Sequence, residues 1–163
     1  MTIIIKNKDT LLIDEFKFKC CIGKNGIKKN KIEGDLSTPK GNFGLEDLYY
    51  RKDKLSKPIT KLRIKEIKRN FGWCTDNKSN LYNKRIINKK ELKHEKLFRK
   101  DYKYDLLIVI SYNRKKIIKD KGSAIFLHLT KDYKPTAGCI GLKKKDFLII
   151  LKLIKKNTKI IIN

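Results

Sequence analysis

The alternation of apolar and polar residues along the chain predicts a domain built mainly from β-strands. The segments Thr2–Lys6 and 10–14 are largely apolar and flank the polar turn 7–9, a pattern typical of a hairpin. In 16–20, apolar residues alternate with lysines, and this period of two indicates a half-buried strand. Further short strands are predicted within 59–67, 82–87 and 158–162.

Two strongly apolar runs in the second half of the chain predict the central strands of the sheet. The run 104–112 (YDLLIVISY) is continuously apolar in its middle, as expected of a strand that is buried on both faces. The run 123–129 (SAIFLHL) follows a polar connection, 113–122, which suits a hairpin. This pairing would place His128 near one end of the sheet.

Two segments show the spacing of an amphipathic helix, 89–100 and 143–156. The recurring positions are Leu92, Glu95, Lys96 and Arg99 in the first segment and Phe147, Leu148, Leu151 and Ile154 in the second. We also expect residues 136–140 to lead into the second helix. The sequence therefore predicts a single domain, residues 1–163, that is mainly β (α+β minor) with about two helices.

The composition fits a folded domain that carries an extreme positive charge. Charged residues make up 36% of the chain, but the apolar 40% fall in strand-like clusters, which argues against disorder. With 42 basic and 17 acidic residues the formal net charge is +25, so the surface should attract polyanions such as nucleic acid, anionic lipid or acidic wall polymer. Only six of the basic residues are arginine, the side chain best suited to reading bases, so we expect no specific nucleic acid partner.

The cysteines and histidines do not form a metal-binding pattern. The four cysteines, Cys20, Cys21, Cys74 and Cys139, include no C-x-x-C pair, and the chain has only two histidines, so we predict no metal site. A disulfide between Cys74 and one of the vicinal cysteines remains open in an oxidising compartment. No apolar run is long enough for a membrane span, and no signal peptide is recognisable, which indicates a cytoplasmic protein if the start is correct.

The segment 123–142 brings together the residues that a cysteine nucleophile needs. Cys139 follows Gly138 after a polar turn, and His128 lies at the end of the preceding strand. A thiol beside an imidazole is the arrangement that Cys–His catalysis uses. We expect a nearby imidazolium or helix N-terminus to lower the pKa of the thiol from about 8.5 toward neutrality. The alternative is a buried, inert cysteine beside a structural histidine.

Two sequence blocks resemble those of the L,D-transpeptidase (YkuD-domain) family. His128, a spacer and then Thr136-Ala137-Gly138-Cys139-Ile140 are similar to the active-site signature of that family, which is His, a spacer and Ser/Thr-His-Gly-Cys. The block 33–43 (EGDLSTPKGNF) is similar to the family's G-D-x-x-T-P-x-G-x-F segment. Shorter similarities occur at 72–76, 94–95, 104–106 and 112–113. The resemblance covers nearly the whole chain and implies the twisted β-sandwich of a compact, single-domain L,D-transpeptidase.

The resemblance implies a cysteine acyltransferase that acts on peptidoglycan stem tetrapeptides. Cys139 would attack the stem, terminal D-alanine would leave, and an amine or water would resolve the acyl-enzyme, giving L,D-transpeptidation or L,D-carboxypeptidase hydrolysis. His128 would act as the base, oriented by the carbonyl of Leu129, and the amides of Ala137, Gly138 and Cys139 would form the oxyanion hole. The resemblance further implies no cofactor and a periplasmic or envelope location, and we expect a monomer.

The chain departs from the family signature at two positions. Ala137 replaces the usual histidine, and Gly141 replaces the usual arginine after the cysteine. Without that arginine, Lys131 or Lys134 is expected to hold the substrate as a point charge, with Thr136 as a further contact. Two other functions remain open: a cysteine amidase for a related amide metabolite, and a non-catalytic basic module that binds nucleic acid or wall polymer.

Two aromatic residues and one block have a structural interpretation that we prefer. Trp73 is expected in the core, with a peptide groove as the alternative. His94 is expected to anchor a loop by hydrogen bonding, with an acid–base role as the alternative. The block 33–43 is expected to pack beside the active-site sheet without taking part in catalysis.

Overall fold

A nine-stranded sheet forms the framework of the computed structural model, which describes residues 1–163. The elements are β1 (Thr2–Lys6), β2 (Thr10–Ile13), β3 (Phe16–Cys21), β4 (Ile27–Lys28), β5 (Thr38–Pro39), β6 (Gly41–Tyr50), β7 (Ile64–Glu66), β8 (Phe71–Cys74), β9 (Arg85–Ile87), β10 (His94–Lys96), β11 (Leu106–Ile110), β12 (Phe126–Leu129), β13 (Ile140–Leu142), α1 (Lys144–Leu153) and β14 (Lys159–Ile162). The large sheet has the order β11-β12-β13-β3-β2-β1-β14-β6-β7, and β10-β8-β9 and β4-β5 form two smaller sheets.

Strand β6 closes the large sheet on itself. Its first part, from Gly41 to Gly44, pairs with β14, and its later part, from Leu45 to Tyr50, pairs with β11. Because β11 also pairs with β12, the strands enclose the larger of two hydrophobic cores between them. The predicted mainly β, sandwich-type fold is therefore confirmed, and so is the antiparallel pairing of the two apolar runs.

Alternate residues of β11 face two different hydrophobic cores. Leu106, Ile108 and Ile110 belong to the larger core, which lies inside the closed sheet. Leu107 and Val109 belong to a smaller core on the other face. A strand buried on both faces needs an unbroken apolar sequence, and each such side chain contributes about 1.5–3 kcal/mol on burial.

The three-stranded sheet covers the smaller core and buries the single tryptophan. Trp73 of β8 is 1% exposed, and its indole ring meets the Phe126 ring edge-on. Its Nε1–H donates to Oδ1 of Asn83 at 2.8 Å, so the polar group is satisfied inside the core. The expectation that Trp73 lies in the core is confirmed.

The predicted helix at 89–100 is wrong. His94–Lys96 form β10, which pairs antiparallel with β8, and turns lie on both sides of it. The side chain of Leu97 is fully buried in the smaller core, and its N–H donates to the carbonyl of Phe71. Tertiary pairing thus outweighs the favourable helix propensity of a segment rich in lysine, glutamate and leucine, and the chain has one helix instead of two.

Strand β13 separates Cys139 from the helix. The predicted helix after 136–140 is present, but the prediction missed the strand that precedes it. Ile140 and Leu142 are fully buried, and β13 pairs with β12 and β3, so the apolar residues after the cysteine belong to the sheet. Helix α1 begins at Lys144 and packs against the larger core through Phe147, Ile150 and Leu151.

Candidate active site

His128 lies on strand β12, on the face of the sheet that points away from the larger core. Leu127 and Leu129 point into the larger core, so Phe126 and His128 lie on the opposite face. The Nδ1 atom of His128 lies 2.9 Å from the carbonyl oxygen of Leu129. A carbonyl only accepts, so Nδ1 carries the proton and Nε2 is left as a base. The ring meets Tyr104 edge-on with centroids 5.4 Å apart.

Cys139 lies directly before β13, which runs parallel to β12. Its side chain belongs to the smaller core, and the residue is 8% exposed. The thiol donates to the carbonyl of Ala124 at 3.2 Å and accepts from the N–H of Phe126 at 3.3 Å. The resting thiol is therefore held by the backbone, and it makes no hydrogen bond to the imidazole.

The turn before the cysteine is held by the hydroxyl of Thr136. This hydroxyl accepts from the N–H of Gly138 at 3.0 Å and donates to the carbonyl of Cys139 at 2.6 Å. Gly138 has a φ of +141°, and a Cβ there would lie 2.7 Å from the carbonyl oxygen of Ser37. Only glycine fits this position without a shift of the backbone. The amides of Ala137 and Cys139 donate to no group of the protein.

The block 33–43 supports this turn from behind. The buried Thr38 hydroxyl donates to the carbonyl of Gly138 at 2.9 Å and accepts from the N–H of Gly23 at 2.8 Å. One side chain therefore links β5 to the residue before the cysteine. The two blocks that carry the family resemblance touch each other in space.

A cleft of about 330 Å³ exposes the candidate residues to a ligand. Six of the residues singled out from the sequence line it: His128, Leu129, Lys134, Thr136, Ala137 and Cys139. Gly138 is buried behind them. Lys131 does not line the cleft; it lies in an adjoining groove with its ammonium 4.4 Å from the centre of the Tyr102 ring.

Among the other residues that line the cleft are Glu95, Arg99 and Tyr104, none of which was assigned to the site from the sequence. The Tyr104 hydroxyl donates to Oε1 of Glu95 at 3.0 Å, and Nη1 of Arg99 lies 3.6 Å from the same oxygen. Glu95 and Arg99 belong to the segment predicted as a helix. In an extended strand and turn they reach the cleft, so the incorrect secondary structure concealed them.

Burial opposes ionisation of both Cys139 and His128. Burial raises the pKa of the Cys139 thiol to about 12, although the Phe126 amide acts in the other direction. Burial also lowers the pKa of His128 to about 4, against the hydrogen bond to Leu129, and the charges of Lys103 and Arg99 add to the effect. The expected drop of the thiol pKa toward neutrality is therefore wrong for this resting state, in which thiol and imidazole are both neutral. No helix N-terminus is present at Cys139 to compensate.

Neighbouring side chains crowd the position at which the family carries its arginine, position 141. Gly141 lies opposite His128 in the parallel register of β12 and β13. A Cβ on Gly141 would lie 2.6 Å from Sγ of Cys21 and 3.2 Å from Cβ of Thr130. The departure from the signature is thus tied to the neighbouring side chains, and any substrate anchor must come from elsewhere in the cleft.

The remaining candidates lie away from this site. His94 lines a different pocket, and its Nδ1 lies 2.7 Å from the carbonyl of Leu92, as expected of a residue that anchors a loop. All four cysteines are free and buried, so none pairs with Cys74. No group of three or more His, Cys, Asp or Glu side chains is placed to hold a metal ion. The one helix is too short to cross a membrane.

Comparison with known proteins identifies one family and solved structures of similar fold. A profile of the L,D-transpeptidase catalytic domain (YkuD) matches residues 1–162. The crystal structure of the helical cell shape determining protein Pgp2 from Campylobacter jejuni aligns over 99% of this chain with a TM-score of 0.54 and 16% identity. A lysine-to-alanine variant of Pgp2 gives the same values. No curated protein matches.

The family match spans almost the whole chain, so the protein belongs to the L,D-transpeptidase catalytic-domain family. The likeness to Pgp2 shows the same fold. This chain covers 46% of the Pgp2 structure, so it spans less than half of that protein.

Proposed function

We propose that this domain is a cysteine acyltransferase that acts on peptidoglycan stem tetrapeptides in the cell envelope. The observation that carries the proposal is the shared cleft of Cys139 and His128, in which the imidazole has its Nε2 free. Membership of the L,D-transpeptidase family supports the reaction class. The similar fold of Pgp2, a helical cell shape determining protein, fits a role in the wall.

In the first half-reaction, Sγ of Cys139 attacks the carbonyl carbon at the L-centre of the third stem residue. His128 accepts the thiol proton on Nε2 and delivers it to the amine of the departing D-alanine. The peptide C–N bond breaks and a thioester to Cys139 forms. An amine of a second stem, or water, then attacks the thioester and restores the thiol, which gives a cross-link or a trimmed stem.

The neutral state of both groups favours proton transfer during the attack over a preformed thiolate. A base with a low pKa remains unprotonated at neutral pH, and general base catalysis of this kind contributes about 10²–10⁴-fold. Desolvation in the cleft keeps the thiol protonated until a substrate carbonyl is in place. In this proposal the carbonyl of Leu129 fixes the tautomer of His128 by its 2.9 Å hydrogen bond.

The oxyanion of the tetrahedral intermediate would be held by backbone amides at the Thr136–Cys139 turn. The N–H groups of Ala137 and Cys139 have no acceptor within the protein and are available. The N–H of Gly138 is already used by Thr136, so its part is to fix the turn. One such donor is worth about 10²–10³-fold in rate.

The carboxylate groups of the stem would be held by basic side chains of the cleft. Lys134 lines it, as do Arg99 and Lys103, whereas Lys131 lies in the adjoining groove. Arg99 offers the planar guanidinium that the glycine at 141 cannot supply, and a stem carboxylate would compete there with Asp101, which accepts from Nε and Nη2 of Arg99. We therefore place the main anchor at Arg99 and Lys134, with Lys131 reaching only the extended part of a substrate.

Intact mass measurement with tetrapeptide muropeptides tests the proposal. The wild-type protein should gain the mass of the stem without its terminal D-alanine, and Cys139→Ala should gain nothing. Analysis of the released products then separates cross-linking from trimming.

A matched control is Cys21→Ala, which removes another buried thiol beside the same sheet and should still form the adduct. Absence of any adduct on folded wild-type protein would contradict the wall substrate. Reaction with a different amide under the same conditions would instead favour a cysteine amidase.

A further inference from the structure

A buried lysine lies behind the turn that presents Cys139. The side chain of Lys31 is 3% exposed and runs between two glycines that both have positive φ. A Cβ on Gly122 would lie 2.8 Å from Cε of Lys31, and a Cβ on Gly138 would lie 3.6 Å from its Nζ. A larger residue at position 122 would therefore crowd the lysine, whereas the distance at position 138 is an ordinary contact that places the ammonium directly behind the turn.

Asp35, which belongs to the block 33–43, holds the ammonium of Lys31 in place. Nζ lies 2.7 Å from Oδ1 of Asp35, and the carboxylate also accepts from the amides of Ile32 and Ser37. Burial favours the neutral form of Asp35, but the hydrogen bonds from Lys31 and Ser37 hold the pKa of this carboxyl well below its usual range. The pair is therefore ionised, and the position of the cation is fixed.

We propose that Lys31 is an electrostatic positioning residue for Cys139, whose fixed positive charge behind Gly138 stabilises the developing thiolate and the tetrahedral oxyanion. It touches neither substrate nor thiol in this role. The inference rests on the proposed function, since it assigns Lys31 to the reaction of the same site. Burial raises the pKa of the thiol, and the charge of Lys31 acts in the opposite direction, together with the stronger effect of the Phe126 amide.

The other ionisable groups near the thiol do not supply this charge. Glu95 and Cys21 act to raise its pKa. Burial keeps Tyr104 and His128 neutral near pH 7, so neither of them contributes a formal charge. A buried cation therefore has an effect on Cys139 that none of these neighbours provides.

Among the ionisable groups around Lys31, only one forms an ion pair with it. Glu33 accepts hydrogen bonds from Tyr82 and Ser123 and is directed to them. Tyr112 lies against Gly122, and burial raises the pKa of its hydroxyl. Asp35 remains as the single ion-pair partner of Lys31.

The test is the pH dependence of alkylation at Cys139, measured with iodoacetamide and located by mass spectrometry of the modified peptide. Lys31→Met should raise the thiol pKa by about one unit, which lowers the alkylation rate at a fixed pH below the pKa about tenfold. Asp35→Asn removes the ion pair but keeps the ammonium, so the thiol pKa should fall or stay constant.

A rise of the thiol pKa in Lys31→Met without a rise in Asp35→Asn distinguishes an effect of charge from an effect of structure. A merely structural ion pair would make both variants behave alike, and that outcome would overturn the proposal. Lys31→Met leaves Asp35 buried without its partner, so the double variant Lys31→Met/Asp35→Leu serves as a third test that leaves no unpaired charge. It should fold and show the raised thiol pKa; a wild-type pKa in this variant would also overturn the proposal.

Alkylation needs no peptidoglycan, so this test is independent of the proposed substrate. If muropeptides give no acyl-enzyme but Lys31→Met still raises the thiol pKa, the wall substrate fails and the role of Lys31 stands. With an active substrate, Lys31→Met should lower kcat about tenfold or more with KM unchanged, because the charge acts on the transition state and not on stem binding.

Discussion

At the scale of a single residue, His128 links the stability of the fold to pH. Burial lowers its pKa to about 4, whereas the unfolded chain has the usual value of about 6.5. Between these values the unfolded state binds a proton that the folded state rejects. The contribution of His128 to the free energy of unfolding is therefore fully present above about pH 6.5. It decreases by about 3 kcal/mol in total as the pH falls toward 4.

Urea unfolding at pH 7.5, 5.5 and 4.5 measures this effect when the wild type is compared with His128→Gln. Other carboxylates titrate in the same range, and the difference between the two proteins removes their contribution. The variant should lose less stability in acid than the wild type. If the free energy of unfolding falls equally in both proteins, then burial does not shift the pKa of His128.

Gly141 shows how one position couples β13, the strand that follows Cys139, to a buried cysteine. We expect Gly141→Ala to destabilise the protein by about 1–3 kcal/mol, since its Cβ would meet Sγ of Cys21 at 2.6 Å. In a Cys21→Ala background the same change should cost less. A double-mutant cycle by urea unfolding checks the coupling, and strict additivity would argue against the contact.

At the scale of an element, β5 holds the turn 136–139, which carries Cys139, through one side-chain hydroxyl. Thr38→Val keeps the shape but removes the hydroxyl, which leaves the carbonyl of Gly138 and the N–H of Gly23 unpaired in the interior. We expect a loss of about 2–4 kcal/mol in stability and slower acylation, because each unsatisfied buried group costs about 1–3 kcal/mol. Thr38→Ser retains the hydroxyl and is the matched control.

Thermal unfolding and single-turnover acylation of both variants measure these effects. Thr38→Ser should remain close to the wild type in both, since it loses only a methyl group. If Thr38→Val acylates as fast as Thr38→Ser, the hydroxyl does not hold the turn, and the block 33–43 has only a packing role.

The sequence predicts elements well where local pattern and tertiary context agree. The continuous apolar run around β11 and the alternation in β3 both satisfy the burial that the closed sheet imposes, and the structure has strands there. Segment 89–100 is the opposite case, since its spacing suits a helix but Leu97 and β8 require an extended chain. Pairing with a distant strand leaves no trace in local periodicity, so Glu95 and Arg99 could not be assigned to the cleft.

The candidate site, too, could be predicted only in part from the sequence. The spacing of His128 and Cys139 within one family motif was sufficient to predict that they share a cleft. The direction of the thiol pKa was not, because it depends on Ala124, Phe126 and the smaller core, which surround Sγ only in the folded chain. The spacing of the motif therefore predicts which residues lie close together, whereas their burial in the folded chain determines whether they are ionised.

At the scale of the whole molecule, the net charge of +25 predicts a second, non-catalytic property. Lysines occur in nearly every segment, so attraction to polyanions should be spread over the surface and not confined to the cleft. Binding to heparin or DNA should be strong at about 50 mM salt and fall by several orders of magnitude by about 200 mM. Cys139→Ala should bind like the wild type, because the thiol carries no charge.

Fluorescence anisotropy across a salt series measures this binding, and a lysine variant locates it. Replacing Lys144, Lys145 and Lys152 of α1 by glutamine removes three exposed charges. Diffuse attraction should weaken only modestly, in proportion to the charge removed, with a slightly smaller salt slope. Loss of all binding in this variant would instead reveal a localised polyanion site on α1, and the basic surface would then be a specific interface instead of a property of the whole chain.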